Sequence, residues 1–432
     1  MQNKSYELLV NNLGVSKEVL DAVNKAEKEI EGVFKEFDDI RAYNQFKILQ
    51  VFQENRVSDS HFSYNTGYGF NDMGRDKIEQ VYADIFKTED AIVRPIIVSG
   101  THALTLTLTG ILRPGDELIY CTGQPYDTLE EVIGIRGEDG RGSLKDFGVT
   151  YKQVEVKEDG SIDLEALKNA ISPATKMVSI QRATGYSWRR AITIDEIEEC
   201  TKLVKSINPN IVCMADNCYG EFIDIKEPTE AGIDVLAGSL IKNPGGGIAI
   251  SGGYIVGRRD LIELISYRMT SPGVGGECGL MFDQTRTMFQ GLFLAPTVVN
   301  AAVKGAVLCS KVFQNLGFEV CPKPDDARSD IIEAVKLLSP EAVVAFCEGI
   351  QAAAPVDAHI TPEPFEMAGY GDPVIMAAGT FIQGSTIELS ADAPIRDPYI
   401  VYFQGGLTYE HSKFGVIKAL QALYDKGLVK LK

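Results

Sequence analysis

A single lysine, Lys242, lies between an apolar segment and three consecutive glycines in the stretch SLIKNPGGGIAISGGYIVG, residues 239–257. Lysines are normally solvated, whereas this one follows apolar residues and precedes bare backbone. Glycine is used where a chain bends sharply or where a ligand approaches the backbone closely. This spacing would allow the Lys242 amine and the Ser239 hydroxyl to contact the same ligand. For this stretch taken alone, a turn lysine on the surface is the alternative.

Two further polar positions follow apolar segments. Gly100 and Thr101, after AIVRPIIVS, open a helical segment, and the start of a helix offers free N–H groups and a positive dipole end to a phosphate. Asp216 ends the apolar run IVCMA, where a buried carboxylate needs a partner such as a cationic ring nitrogen. Taken alone, each position also fits an ordinary turn or a capping aspartate.

The elements that must position these residues alternate between short apolar runs and helical segments. Such alternation is typical of an α/β fold with a mostly parallel sheet covered by helices. All three positions follow predicted strands, where ligand sites of such sheets gather. We predict an N-terminal helical segment at residues 1–62, a large domain at 63–285 and a smaller α+β domain at 286–432.

Together, a phosphate-binding turn, an acid and a lysine in this order supply what pyridoxal 5′-phosphate needs. The motifs that extend this pattern are YGFNDMGRDKIE, SGTHAL, QPYDTL, ADNCYGEF, SLIKNPGG, APVDAHITPEP and IELSADAPIRDPYIVYFQGGLTYEH. With them the chain resembles the fold-type I pyridoxal-phosphate enzymes of cysteine and methionine metabolism, which include cystathionine lyases and methionine γ-lyase. It is most similar to the aluminium-resistance group of that family.

The resemblance implies a fold and the main catalytic roles. It implies a seven-stranded, mostly parallel sheet in the large domain. Lys242 would bond to the aldehyde of the cofactor and, as an amine kept neutral by desolvation, later move protons. Asp216 would keep the ring nitrogen protonated, and Tyr126, in QPYDTL, would stack on the ring.

The resemblance also implies how the phosphate is held. Gly100, Thr101 and Ser239 would contact it within one subunit, and Tyr68 matches the tyrosine that reaches the phosphate of a neighbouring subunit. We therefore expect at least a homodimer, and the resemblance implies a homotetramer, the usual oligomeric state of the family. The arginine that commonly follows this tyrosine is replaced here, and Arg75 is the nearest substitute.

The arginine that binds the substrate carboxylate in these lyases has no clear counterpart in this sequence. The matching strand, YIVYFQGGL, holds Tyr402 instead, so we expect Tyr402 and Arg396 to line the substrate site. Arg189 and Arg190 are further candidates. The small-molecule substrate is expected to be an amino acid.

Composition excludes other partners. The net charge of −18 repels phosphate backbones and anionic lipid, so we expect neither nucleic acid nor membrane as a partner. We read no apolar run long enough to cross a bilayer and no secretory start, and we expect a cytoplasmic protein with reduced cysteines. The four histidines are not at ligand spacing, so no metal site is expected.

The expected activity is β- or γ-elimination of a carbon–sulfur bond, which gives a 2-oxo acid, ammonia and a thiol. A transaminase or an aldolase with the same cofactor is an alternative, because a fold does not determine a reaction. A protein that binds the cofactor without turnover is another. An enzyme with Ser239 as nucleophile and Lys242 as base would match S-x-x-K, but the K-T-G element of that class is missing.

Overall fold

The computed structural model describes residues 4–431 and divides into two compact units. The larger unit comprises Ala42–Gly185 and Arg189–Pro296, and the smaller unit comprises the residues up to Arg41, Tyr186–Trp188 and the residues from Thr297 onward. The α-helices are α1 (Lys4–Asn11), α2 (Lys17–Glu29), α3 (Glu31–Glu54), α4 (Met73–Ile85), α5 (Gly100–Ile111), α6 (Asp127–Ile133), α7 (Leu164–Ala170), α8 (Ile194–Ile207), α9 (Arg259–Met269), α10 (Thr285–Asn315), α11 (Pro340–Ala352) and α12 (Tyr409–Asp425).

A seven-stranded sheet forms the centre of the larger unit. Its strands are β1 (Asp90–Arg94), β2 (Glu117–Tyr120), β3 (Thr150–Gln153), β4 (Thr175–Gln181), β5 (Val212–Asp216), β6 (Val235–Ser239) and β7 (Gly253–Gly257). They are ordered β1-β7-β6-β5-β4-β2-β3, and only β7 runs against its neighbours. The predicted α/β fold with a mostly parallel seven-stranded sheet is confirmed.

Local sequence signals explain where the helices around this sheet begin. The Thr193 hydroxyl accepts from the backbone N–H of Glu196, whose carboxylate accepts from the N–H of Thr193, which makes a capping box at the start of α8. The Asp72 carboxylate caps α4 in the same way by accepting from two backbone N–H groups. Helices α5 and α9 bury their apolar faces in the core against strands β2, β4, β5 and β6.

The smaller unit contains a five-stranded antiparallel sheet. Its strands are β8 (Glu319–Cys321), β9 (Glu333–Lys336), β10 (Val374–Ala377), β11 (Ser390–Pro394) and β12 (Ile400–Gln404), in the order β10-β11-β12-β9-β8. Helices α11 and α12 pack into one core with it. Val19 and Val23 of α2 belong to that core, so the N-terminal helices do not form the separate segment placed at residues 1–62. The division between the units falls after Arg41 instead, and a second one follows Pro296 rather than residue 285.

Helix α10 corrects the expectation that no apolar segment is long enough to cross a bilayer. By length and composition α10 could do so, and it is the single helix in residues 4–431 of which this holds. Its apolar residues are interrupted by Gln290, Thr297 and Asn300, so no unbroken apolar run appears in the sequence. Of its most apolar window, 72% is buried inside the protein, as is typical of a core helix.

The glycines after Lys242 allow two backbone segments to touch. A Cβ atom on Gly245 would lie 1.6 Å from the carbonyl oxygen of Leu240, and one on Gly246 would lie 2.4 Å from that of Gly291 in α10. In the opposite direction, a Cβ atom on Gly291 would lie 2.2 Å from the carbonyl oxygen of Gly245. These distances are far below van der Waals contact. The contact therefore requires glycine both in the loop after Lys242 and at Gly291 of α10.

We expect Gly291→Ala to lower the free energy of unfolding by about 1–3 kcal/mol, because its methyl group must displace backbone rather than a flexible side chain. The measurement is denaturant unfolding of the full chain. Gly32→Ala is the matched control, since Gly32 is also helical but has open space where its Cβ would lie. Alanine should stabilise that helix by about 0.5–1 kcal/mol. Equal effects of the two substitutions would contradict the close contact.

Candidate active site

The Lys242 amine lies against the first turn of α5. A Cβ atom built on Gly100 would be 4.0 Å from Lys242 Nζ, 3.5 Å from Ser239 Cβ and 3.1 Å from Cys218 Sγ. Ser239 ends β6, and Cys218 follows β5 by two residues. Three separate segments of the chain therefore meet at the carboxyl edge of the parallel strands, the usual place for a ligand site in such a sheet.

The first turn of α5 leaves backbone donors available at this place. The Ser99 hydroxyl accepts from the backbone N–H of His102 and so caps the helix. The N–H groups of Gly100 and Thr101 lie in the first turn, where a helix provides no intrahelical acceptor. The Thr101 hydroxyl is 2.6 Å from the hydroxyl of Thr128 in α6. An anion at this turn would meet backbone N–H groups and the positive end of the helix dipole.

Asp216 is a buried carboxylate at the end of β5. Its Oδ1 accepts from the backbone N–H of Cys218 at 3.0 Å. Burial raises the pKa of Asp216, while the charge of Lys242 and the hydrogen bond from Cys218 oppose that rise. A nearby cationic donor would stabilise its charged form.

The Lys242 amine is buried among groups that favour its charged form. Its Nζ atom is 4.0 Å from the centre of the Tyr219 ring, within the range of a cation–π contact. Burial alone lowers the pKa of Lys242, but the acidic groups around the amine outweigh burial and raise the pKa above its ordinary value. In order of effect, these groups are Cys218, Tyr219, Asp216 and Glu221. The expectation that Lys242 is neutral once released from a bound cofactor stays a prediction.

A buried ionic network, which sequence reasoning missed, supports the loop after β5. Arg182 directly follows β4 and is fully buried. Its Nη1 donates to Asn217 Oδ1 at 2.9 Å and to the carbonyl oxygen of Gly220 at 2.7 Å. The Asn217 amide in turn donates to Glu227 Oε2 at 3.1 Å. The available signal was an arginine directly after the apolar run KMVSIQ, where a charge needs a buried partner.

The sequence profile of the family described as methionine gamma-lyase matches residues 19–424. The chain belongs to the methionine gamma-lyase family. It is 51% identical over 405 residues to the uncharacterized protein YnbB of Bacillus subtilis, which covers 94% of this chain and 96% of that protein. The crystal structure of a carbon-sulfur lyase involved in aluminum resistance from Clostridium novyi NT is 50% identical, covers 98% of this chain and 99% of its own, and has a TM-score of 0.93.

A more distant likeness concerns the fold alone. The pyridoxal-5′-phosphate dependent protein YhfS of Escherichia coli is 17% identical, with a TM-score of 0.60, over 90% of this chain and 97% of that one. Membership of the methionine gamma-lyase family and this shared fold imply pyridoxal phosphate as the cofactor.

The residues of the larger unit fit that cofactor. A Cβ atom on Gly100 would approach Cys218 Sγ to 3.1 Å, so the first turn of α5 is closely packed against the segment after Asp216, and glycine keeps its backbone accessible. The turn suits a phosphate, the Lys242 amine suits an aldehyde, and the buried Asp216 carboxylate suits a protonated ring nitrogen. These donors match the three ends of the cofactor.

Tyr126 and Tyr68 occupy different settings within the larger unit. Tyr126 precedes α6, and its Cδ2 atom would be 3.5 Å from a Cβ atom on Gly185. Tyr68 is 74% exposed, and its ring is 5.4 Å from that of Phe70, also exposed. Arg75, the expected substitute for the missing arginine, is instead buried and donates to the carbonyl oxygen of Gly69 at 2.6 Å.

The candidates for substrate recognition are already engaged in protein contacts. Arg189 donates to the carbonyl oxygens of Gln181 and Ala183, and Arg190 pairs with Glu196. In the smaller unit, Arg396 forms a half-exposed ion pair with Asp372, and Tyr402 is buried with its ring 5.2 Å from that of Tyr186. Their part in substrate binding remains a prediction.

We expect Arg182→Met to lower the free energy of unfolding by about 3–5 kcal/mol. The substitution removes the buried donor to Asn217 and to the carbonyl oxygen of Gly220, together with one of the two cations, the other being Lys47, that act on buried Glu227. Arg190→Met is the matched control, since it breaks a partly exposed pair with Glu196 and should cost less than about 1 kcal/mol. Denaturant unfolding of both variants measures the difference. Similar small losses would mean that the buried network contributes little.

Proposed function

We propose that this protein is a pyridoxal-phosphate-dependent carbon–sulfur lyase that acts on a sulfur-containing amino acid. The observation that carries the proposal is the buried Lys242 amine, which lies beside the first turn of α5 at the carboxyl edge of the sheet. A lysine amine buried in this way binds a ligand instead of being hydrated at the surface. Membership of the methionine gamma-lyase family adds the reaction class.

When bound, pyridoxal phosphate supplies an electron-accepting ring that acidifies the Cα hydrogen of an amino acid. The residues of this chain would then divide the work. Gly100, Thr101 and Ser239 hold the phosphate, and Asp216 holds a proton at the ring nitrogen. Lys242, released as a neutral amine, takes the Cα proton at its Nζ atom.

Tyr126 would lie against the ring and keep it oriented. Loss of a thiol from Cβ or Cγ, followed by addition of water, balances the reaction: an amino acid and water give a 2-oxo acid, ammonia and the thiol. The crystal structure from Clostridium novyi is described as a carbon-sulfur lyase, which supports this reaction over transamination or aldol cleavage.

We also propose that the protein works as a homodimer or homotetramer with a site shared between subunits. Tyr68 and Phe70 present aromatic rings to solvent beside the segment that begins α4, where a second copy could cover them. Arg396 and Tyr402 are proposed to contact the amino-acid substrate.

The anchor of the cofactor can be tested by borohydride reduction of the full chain after incubation with pyridoxal phosphate. We expect a pyridoxyl mass on the peptide that carries Lys242 and none on it in Lys242→Ala. Ser239→Ala should keep the adduct but weaken cofactor affinity, because only a hydroxyl contact is lost. An adduct pattern that ignores Lys242, together with loss of all activity in Ser239→Ala, would favour the S-x-x-K alternative.

The reaction can be tested by incubating the loaded protein separately with L-methionine, L-cysteine and cystathionine. We expect a 2-oxo acid, ammonia and a thiol in equal amounts from at least one of them, since elimination releases all three. A transaminase would release no ammonia and would need a keto-acid acceptor. No product from any amino acid, despite an adduct on Lys242, would support cofactor binding without turnover.

A further inference from the structure

Glu221 is a fully buried carboxyl group beside the candidate active site that has no part in the proposed reaction. Its Oε1 atom accepts a hydrogen bond from the Tyr254 hydroxyl at 2.7 Å. Its Oε2 atom is also buried and has no hydrogen-bond partner among the residues that the structure describes. A half-satisfied buried carboxyl is unfavourable for folding alone, which calls for another reason for its presence.

The surroundings link Glu221 to the lysine loop. Asn243, next to Lys242, donates its side-chain amide to the backbone carbonyl oxygen of Glu221 at 3.0 Å. A Cβ atom on Gly238 would lie 2.7 Å from the Tyr254 hydroxyl and 2.8 Å from Glu221 Oε1, so the pair packs directly against β6, one residue before Ser239. The carboxyl group therefore lies between two segments that hold the site.

We propose that Glu221, held by Tyr254, is a positioning residue that sets the charge of the Lys242 amine. The inference rests on the proposed function, because it assigns Lys242 as the residue that bonds to the cofactor. A negative charge on Glu221 retains the proton on Lys242, and a neutral Glu221 lets it leave. Only the neutral amine attacks an aldehyde, so the state of Glu221 controls how readily the cofactor is captured.

Electrostatics support this assignment. Burial raises the pKa of Glu221 to about 8, with the Tyr254 hydrogen bond and the charge of Lys242 opposing the rise. Glu221 in turn acts on Lys242: together with the larger effects of Cys218, Tyr219 and Asp216, its negative charge raises the pKa of the amine. Several titratable groups surround Glu221. They are Tyr82 on α4, Cys218 and Glu227 in the segment after β5, Lys242 after β6 and Tyr254 on β7.

The test compares the full-length wild-type chain, freed of cofactor, with Glu221→Gln across pH 6–10. The rate at which added pyridoxal phosphate is captured is followed by visible absorbance. Because wild-type Glu221 is ionised only above about pH 8, we expect Glu221→Gln to capture the cofactor about tenfold faster than the wild type above that pH, as for a Lys242 pKa one unit lower. Below that pH the two rates should coincide. Lys242→Ala gives the background rate.

Two further variants separate charge from structure. Glu117→Gln is the matched control: Glu117 is also buried but lies at the start of β2, at the opposite edge of the same sheet, and should leave the capture profile unchanged. Tyr254→Phe removes the hydrogen bond that favours ionised Glu221, so Glu221 should ionise at higher pH. Capture by Tyr254→Phe should then be faster than wild type at pH 8–9.

Unfolding without cofactor gives a second readout. The folded-state pKa of Glu221 is raised, so the folded chain binds one more proton than the unfolded chain between about pH 4.5 and pH 8. Its contribution to stability is present at low pH and is lost as pH rises through that range, by about tenfold in the folding equilibrium per pH unit. Glu221→Gln should remove this part of the pH dependence.

The outcomes distinguish the two proposals. If wild-type protein captures the cofactor through Lys242 while Glu221→Gln and Tyr254→Phe follow the wild-type profile, the role of Glu221 is overturned and the proposed function stands. If wild-type protein captures none above the Lys242→Ala background, both are overturned. Should Glu221→Gln fail to fold, the Tyr254→Phe profile decides: a shift supports the inference, and an unchanged profile overturns it.

Discussion

The amine of Lys242 imposes the main constraint on the larger unit, because a buried positive charge is stable only among groups that compensate for its lost hydration. Asp216, Glu221 and the Tyr219 ring provide that compensation. All three belong to one short segment after β5, so that segment must have a fixed shape. The buried hydrogen bonds that Arg182 donates to Asn217 Oδ1 and to the carbonyl oxygen of Gly220 stabilise that shape.

A second constraint acts through the backbone. The loop after Lys242 contacts α10 so closely that neither side can carry a side chain at Gly246 or Gly291. Such contact holds the loop through its backbone, in addition to the hydrogen bond that the Asn243 side chain donates to the carbonyl oxygen of Glu221. The glycines that follow Lys242 therefore have a structural purpose. Their contact with other backbone segments explains their position without any ligand.

The fold and the convergence of the site could be predicted from the sequence because they follow from local patterns. Alternating apolar runs and helices indicate a parallel sheet, and residues after such strands meet at one edge; Gly100, Asp216, Ser239 and Lys242 do so. The division of the N-terminal helices could not be predicted, since it depends on the long-range packing of α2 against α12. The same holds for Arg75, whose burial beneath the 67–72 loop depends on contacts with Gly69 and Gly279.

The least predictable property was the charge of Lys242. Desolvation alone argues for a neutral amine, and a sequence that buries a lysine suggests nothing else. The outcome depends on the acidic groups around the amine, of which Cys218 and Tyr219 act most strongly, and Glu221 lies only five residues beyond Asp216 in the chain. Both carboxyl groups are buried, and both act on the one amine of Lys242. A cofactor whose ring nitrogen pairs with Asp216 would weaken the action of that carboxylate on Lys242, while Cys218, Tyr219 and Glu221 would stay beside the amine.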